Sequence, residues 1–497
     1  MRLRKILLAV MLLSFVSGTV QAAPTVKRAK NKFAVEEAVN DDILAKIKAE
    51  MSEVDQQYLS FALKKISNDD LAKLCAAYPG IDGLTIEDSK ELTSIAPVAG
   101  LKGLRGIKLG GTKVADLSPL AGLTEMQVLE LSGKEFGPDL KWMAGMTKLT
   151  NIGISAGKGL VSFEGIPQLP KLQRIKLNSA APADLTPLLA LPALTSIDFN
   201  GCTIKDISPL AKLPNLTDLN LYGATISDFG PLSEAPQLKK LTYYATKGSD
   251  YSTLGKLTQV ENLHGGLTDL ADIAWVANLQ NLKEFMVFAE LVDDYTPLGK
   301  IKLEKLTIWN MKKPTNLAQL SEATSLKYLK LWGLKDVSGF EGLASLVNLE
   351  ELIIDGLNKE KGSADLSFIK GLTKVKTLNL RGATLTNVDG LASLSVLKKL
   401  DAMELNAREG DPALDLSFLA KLGALESLDL SKSHVSKFEA VADAKALTSV
   451  NLAGVSGITS LAPLKKLPKL KNLTVGKDAF PAAELSGFAE TVKINQR

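Results

Sequence analysis

The 497-residue chain has few of the side chains from which most active sites are built. It holds two cysteines and two histidines, its aromatics make up 5% of residues, and its formal charge is +4. Two cysteines cannot supply a disulfide framework, a metal cluster or a CxxC redox pair. No HExxH, GxSxG or P-loop spacing occurs, which removes the commonest metal, serine and nucleotide chemistries. Arg2, Arg4 and Lys5 account for most of the net charge, and without them +1 remains. So small a charge provides no global field for nucleic acid or an anionic membrane. After residue 16 no apolar run is long enough to span a bilayer.

The first residues have the pattern of an export signal. Basic Arg2, Arg4 and Lys5 precede an apolar stretch from Ile6 to Val16, and Val20-Gln21-Ala22 has the small-residue form of a cleavage motif. The pattern predicts a signal peptide over 1–22 and an exported mature chain, secreted or periplasmic. No cysteine follows to carry a lipid, and Val492–Arg497 shows neither an anchoring tail nor a wall-sorting pattern. Residues 23–32 hold the one basic cluster, Lys27, Arg28, Lys30 and Lys32, and read as a polar, flexible N-terminus.

A repeat of about 22 residues occupies most of the remaining chain. Counting the first apolar residue of a segment as zero, apolar side chains recur at offsets 3, 6, 9, 12 and 14, as in Ile207–Leu221 (ISPLAKLPNLTDLNL) and Leu416–Leu430 (LSFLAKLGALESLDL). Seventeen such segments run from Ile95 to the one beginning at Leu461. Offsets 12 and 14 alternate with polar residues, the signature of a short strand with one face buried. Offsets 0 to 9 step by three, which suits a 3₁₀-like return, and the proline at offset 2 (Pro97, Pro119, Pro187, Pro209, Pro231, Pro297, Pro463) fits the start of such a turn. Each strand is followed by a crossover to the next, so the strands are parallel and the winding right-handed. The fold class is α/β: a right-handed solenoid with a parallel concave sheet, built from about 17 repeats.

Both ends need caps. The spacing of Ile43, Ile47, Met51, Val54, Tyr58, Ala62 and Ile66 predicts a helix over 33–66, followed by a second helix at Asn68–Tyr78 and a starter strand with Leu84 and Ile86. The helical N-terminal cap spans 33–94, the repeats 95–476 and a short C-terminal cap 477–497. That last cap is read as a helix over Pro481–Phe488 and an edge strand with Val492 and Ile494. Cys75 at a core offset of the cap and Cys202 at an inward-facing turn read as small buried hydrophobes.

The pattern LxxLxxLxxLxxLxL with Ser-Pro-Leu near its start resembles the bacterial leucine-rich repeat of the internalin type, over about residues 72–494. The resemblance implies a binding array, since relatives of this type are often surface or secreted adhesion and host-interaction proteins. The chain departs from the type where an asparagine usually follows the last strand leucine by three residues. Thr112, Cys202, Ala224, Ala383 and Ser433 stand there, so their backbone groups need other partners. The cap lacks calcium-loop spacing, and neither metal nor cofactor is expected.

Function is sought on the outward strand offsets 11, 13 and 15. Offset 15 runs Ser, Asn and Gly in the early repeats, then Tyr222, Tyr244, Gly266, Phe288, Trp309 and Trp332, followed by Asp355 and Arg381. Trp309 is at offset 14 by count, because its repeat lacks one residue, but is equivalent by pattern. His264, Met286, Tyr328 and Ile353 lie on adjacent columns. Aromatics suit strands and pack across them, and such a column can also join two copies of a chain. A run of large aromatics on an otherwise polar face is, however, what interaction hot spots look like. The longer repeats beginning at Phe340 and Val388 place extra residues at 355–365 and 403–415, beside the same column. They mark either the binding edge or tolerated loop growth. The expectation is a non-catalytic, monomeric binding protein that engages a protein, or less readily a glycan, on this strip. The alternative is an envelope scaffold. His264 with a carboxylate such as Glu284 is the one catalytic pairing on offer, because His434 is about seven repeats away.

Overall fold

The fold was analysed in a computed structural model of the whole chain. It describes residues 25–29, 32–36, 38–51, 58–133, 140–155, 163–226, 228–244, 250–267, 270–311, 315–334, 337–355, 363–407 and 410–497. The expected export signal and parts of both enlarged loops lie outside these residues. Two compact units are distinguished: Met1–Gly137 with Lys141–Gly159, and Pro138–Leu140 with Leu160–Arg497.

In the first unit a sheet starts with Thr25–Ala29 antiparallel to Lys32–Glu36. It continues in parallel through Ser60–Lys64, Gly83–Glu87, Gly106–Gly110, Val128–Ser132 and Asn151–Ser155. Two expectations are corrected here. The segment 23–32 contains a paired strand, and of the helix expected over 33–66 the described residues hold Asp41–Met51. Strands Lys32–Glu36 and Ser60–Lys64 lie where the rest of that helix was expected. The four-residue spacing of Tyr58, Ala62 and Ile66 masked the period-two alternation of Leu59, Phe61 and Leu63, which is what the core uses. Phe33 and Phe61 stack at 5.6 Å between centroids, and Tyr78 lies 5.5 Å from Phe61. The second helix forms at Asn68–Ala77, where the Ser67 hydroxyl accepts from the Asp70 amide and the Asp70 carboxylate accepts from the Ser67 amide.

The second unit is a leucine-rich repeat array. Its parallel strands pair in sequence order from Arg174–Asn178 to Lys493–Gln496, each offset from the next by one repeat. Offsets 12 and 14 point inward; Leu219, Leu241, Leu329 and Leu331 are among the fully buried. A 3₁₀ turn follows most strands, with proline in the first two positions of Thr186–Ala190, Gly230–Glu234 and Thr296–Lys300. The turn leaving a strand requires left-handed backbone, taken by Gly201 and Gly223 at φ 65° and 69°. At the far end the helix is the single turn Ala482–Leu485 rather than Pro481–Phe488, since Ser486 is extended and Gly487 left-handed. The closing strand, Lys493–Gln496, begins one residue after Val492.

The departures from the asparagine pattern are met locally. Cys202 Sγ donates to the Leu177 carbonyl at 3.5 Å. Ser433 Oγ donates to the Ala402 carbonyl at 2.7 Å and accepts from the Leu405 amide at 2.9 Å. In an enlarged repeat, fully buried Asn406 accepts from the Leu385 amide and donates to the carbonyls of Leu385 and Pro412. Cys75 and Cys202 are free and buried, and burial pushes both thiols up to about 11.

A feature outside the apolar period is an acidic cap before many of these short helical turns. Asp116, Asp184, Asp206, Asp228, Asp250, Asp272, Asp294, Asp365 and Asp415 each accept from the backbone N–H two residues on. Hydrogen bonds from that following residue hold Asp116, Asp184, Asp294 and Asp365 below the usual carboxylate range, and Asp415 at about 2.

Two outcomes follow. Asn406→Ala orphans one buried amide and two carbonyls, at roughly 1–3 kcal/mol for each group left unsatisfied, and the urea midpoint falls accordingly. Asp116, Asp184, Asp294, Asp365 and Asp415 have depressed folded-state values, so their stabilisation is complete above the unfolded carboxylate range near ~4. It is lost as pH falls towards 2. Thermal melts across that window should show the decline, with a shallower slope for Asp415→Asn.

A candidate interaction surface on the sheet

Strand register in the second unit sorts the outward side chains into three columns. The first holds Tyr244, Gly266, Phe288, Trp309, Trp332 and Asp355 as successive cross-strand partners. The second holds Thr242, His264, Met286, Thr307, Lys330 and Ile353, and the third Lys240, Asn262, Glu284, Lys305, Tyr328 and Glu351. Trp309 therefore occupies the rung assigned to it by pattern. Tyr222, just beyond Asp218–Leu221, extends the first column and lies 5.1 Å from Tyr244 between centroids.

These rings touch as a continuous ladder. Tyr244 meets Phe288 edge-on at 6.4 Å, Phe288 stacks on Trp309 at 5.8 Å, and Trp309 on Trp332 at 4.4 Å. Tyr222 and Trp332 at its two ends are 48% and 40% exposed, while the rings between are half-buried. The gap between Tyr244 and Phe288 is crossed because the intervening residue is Gly266. A Cβ there would collide with the Tyr244 ring. On the opposite face, a Cβ on Gly265 would collide with the ring of buried Tyr243. The Gly265-Gly266 rung thus admits a tyrosine ring on each side of the sheet. The Tyr243 hydroxyl is buried without a hydrogen-bond partner, and burial drives its pKa far up. Trp309 Nε1 is likewise buried and unpartnered.

Charge is arranged unevenly around the ladder. Lys330 Nζ lies 4.6 Å from the Trp309 ring centroid and 4.7 Å from that of Trp332. Other lysines on this face pair with carboxylates: Lys176 with Asp198 at 3.7 Å, Lys240 with Asp218 at 3.6 Å, and Lys305 with Glu284 at 3.9 Å. Burial, then the charge of Glu351, raises the Tyr328 pKa. Met286 and Ile353 are half-buried beside the rings.

His264 Nε2 lies 2.9 Å from Glu284 Oε1, so the suspected pair is formed. Among the described residues no hydrogen bond joins His264 to a hydroxyl or thiol, and its cross-strand neighbours are Thr242 and Met286. Arg381 stands apart. It follows the end of Thr377–Asn379, and its Nε lies 3.7 Å from Glu404, which also pairs with Lys432 at 3.3 Å. Further along the sheet, Asp401 accepts from Asn379 Nδ2 and Asp429 from Asn451 Nδ2. Burial and the neighbouring Asp429 raise the Asp401 pKa. Among the described residues no group of His, Cys, Asp and Glu could hold a metal ion, and no helix is long and apolar enough to cross a membrane. The sequence pattern puts Lys330 by the aromatics, with Lys240 and Lys305; its seat over two ring faces and the role of the double glycine are findings of the structure. The Lys-x-Trp spacing, which puts both side chains on one face, was the available signal for Lys330.

A family model for leucine-rich repeats (2 copies) matches residues 192–234. No curated protein matches the sequence. Among solved structures the chain is similar to an internalin from Listeria monocytogenes, at 19% identity over 88% of this chain and 95% of that one, with a TM-score of 0.38. It is similar to a leucine-rich repeat protein of Leptospira interrogans, at 15% identity over 91% and 98%, with a TM-score of 0.41. A plant peptide hormone receptor, RGFR1, in complex with RGF2 matches at 15% identity over 88% and 83%, with a TM-score of 0.38.

The double glycine sets a stability test. Gly265→Ala and Gly266→Ala each force a tyrosine ring out of place and should cost about 1–3 kcal/mol in urea denaturation. Gly106→Ala, where an added Cβ meets nothing within 4 Å, should stay within about 0.5 kcal/mol of the native protein.

Proposed function

We propose that this chain, a leucine-rich repeat protein, is an exported, non-catalytic binding protein that grips a protein partner on the aromatic ladder from Tyr222 to Trp332. The observation that carries the reading is the ladder itself: touching rings in one column, with Met286, Tyr328 and Ile353 alongside. Aromatic anchors beside half-buried apolar side chains supply the contact energy of protein interfaces. Their stacking favours a protein over a glycan. Phe288, Trp309 and Trp332 lie nearly parallel, with interplanar angles of 18° and 27°, so their faces are turned to one another. A sugar ring needs a free aromatic face to lie on; a protein side chain packs against edges as readily. Export is supported by the signal pattern of residues 1–22, and the resemblance to the internalin type fits an exported binder. Among the described residues His264 is bonded to a carboxylate and to no nucleophile, which supports the non-catalytic part. Asp355 and Arg381 extend the proposed surface beyond Trp332, Arg381 as a rim charge because it is already engaged by Glu404.

The test compares residues 23–497 with a variant carrying Tyr244→Ser, Phe288→Ser, Trp309→Ser and Trp332→Ser, both shown folded by circular dichroism. Partners captured from host-cell and bacterial envelope extracts are then titrated singly. The variant should lose at least about tenfold in affinity, as hot-spot anchors do. Equal binding by both proteins would move the site elsewhere. A native oligomer that dissolves in the variant would make the ladder a self-association surface instead.

A further inference from the structure

Lys330 is unlike the lysines around it. Its ammonium is held over two indoles, it is half-buried, and no carboxylate among the described residues lies at ion-pair distance. Its cross-strand neighbours are Thr307 and Ile353, both uncharged. Glu351 and Asp355 are on the adjoining strand, yet neither pairs with it. On the other side the immediate neighbours are Thr307 and Trp309, with Met286 and Phe288 one strand further on. A cation over an aromatic face keeps most of its charge, and desolvation by a docking partner strengthens any ion pair it then makes.

We infer that the ladder's partner is an acidic protein segment: one Asp, Glu or C-terminal carboxylate docks on Lys330, and apolar side chains flanking it pack on Phe288, Met286 and Ile353. This rests on the protein-binding reading above and adds the chemistry of what is bound. Charge complementarity selects the occupant. The paired lysines at 176, 240 and 305 are already neutralised, so among the described residues of these rungs Lys330 is the cation that gains an ion pair without breaking one. Asp355, next to Trp332, repels a second carboxylate and fixes the acid on the Lys330 side.

A random peptide library displayed on phage, panned on residues 23–497, tests the inference without knowledge of the natural partner. Enriched sequences should share an acidic residue flanked by apolar or aromatic ones. A synthetic peptide of that sequence is titrated by tryptophan fluorescence, in free-acid and amidated forms to separate a side-chain from a terminal carboxylate. Lys330→Glu should abolish binding and Lys330→Met weaken it at least about tenfold, while Lys330→Arg retains it. All three variants should melt within a few degrees of the native protein. Neutral or basic peptides that bind the ladder, lose affinity on Trp309→Ala or Trp332→Ala and ignore Lys330→Glu would overturn this inference and leave the protein-binding reading standing. Peptides indifferent to both sets of changes, or no enrichment at all, would overturn both. Lys330-dependent binding of polygalacturonate without any peptide would assign the acid to a glycan and likewise overturn the inference.

Discussion

Everything on this array depends on the register between parallel strands. A single repeat presents leucines at offsets 12 and 14 on one face of a short strand, with too little of its own surface to cover them. They leave water only when the strands on either side align one repeat on, and the same alignment satisfies the backbone groups. Register is thus fixed by burial, since a slip of one residue would turn every leucine outward. The outward side chains have no say in that alignment but inherit it. Columns of chemically chosen residues, five rings among them, are a by-product of how the core is closed.

This explains why the outer face could be read so far from sequence. The period of the leucines placed Trp309 on the same column as Phe288 and Trp332 even though its repeat is one residue short, and the strand pairing agrees. What could not be read was which way side chains lean within a column. Lys330 tilts over two indoles and Tyr244 leans across Gly266; both are contacts between neighbouring columns or rungs, where the repeat is silent. The N-terminal cap misled for a different reason. It lies outside the repeat, and an apolar residue every three or four positions was taken as helical across a stretch where Leu59, Phe61 and Leu63 alternate. The acidic caps stand in the sequence as an aspartate before most segments, outside the apolar positions that define the repeat.

The surface combines two environments seldom found together. Over most of the sheet, charges are neutralised in pairs from rung to rung, as in Lys240 with Asp218 and Lys305 with Glu284. Along the ladder the compensation is between rings, and among the described residues the cation over them, Lys330, is left to aromatic faces. Two buried polar atoms, the Tyr243 hydroxyl and Trp309 Nε1, lack partners there as well. Unsatisfied groups of this kind cost stability, so the rungs from Tyr244 to Trp332 are tuned less for the fold than the rungs around them.

The Gly265-Gly266 rung has a consequence for how such a surface can change over time. Repeats stack on nearest neighbours alone, so a duplicated or deleted repeat leaves the remaining core intact. Ladder length therefore varies in whole steps of about 4.8 Å, the strand spacing, and recombination rather than point substitution is the natural way to lengthen it. The double glycine limits where this can happen. Tyr244 needs a vacancy on the following rung, so a cut between these two repeats would set its ring against an ordinary side chain. Growth is closed at the junction of the Tyr244 and Gly266 rungs and open beyond Tyr222 and Trp332, so the strip lengthens from its ends and not across its double glycine.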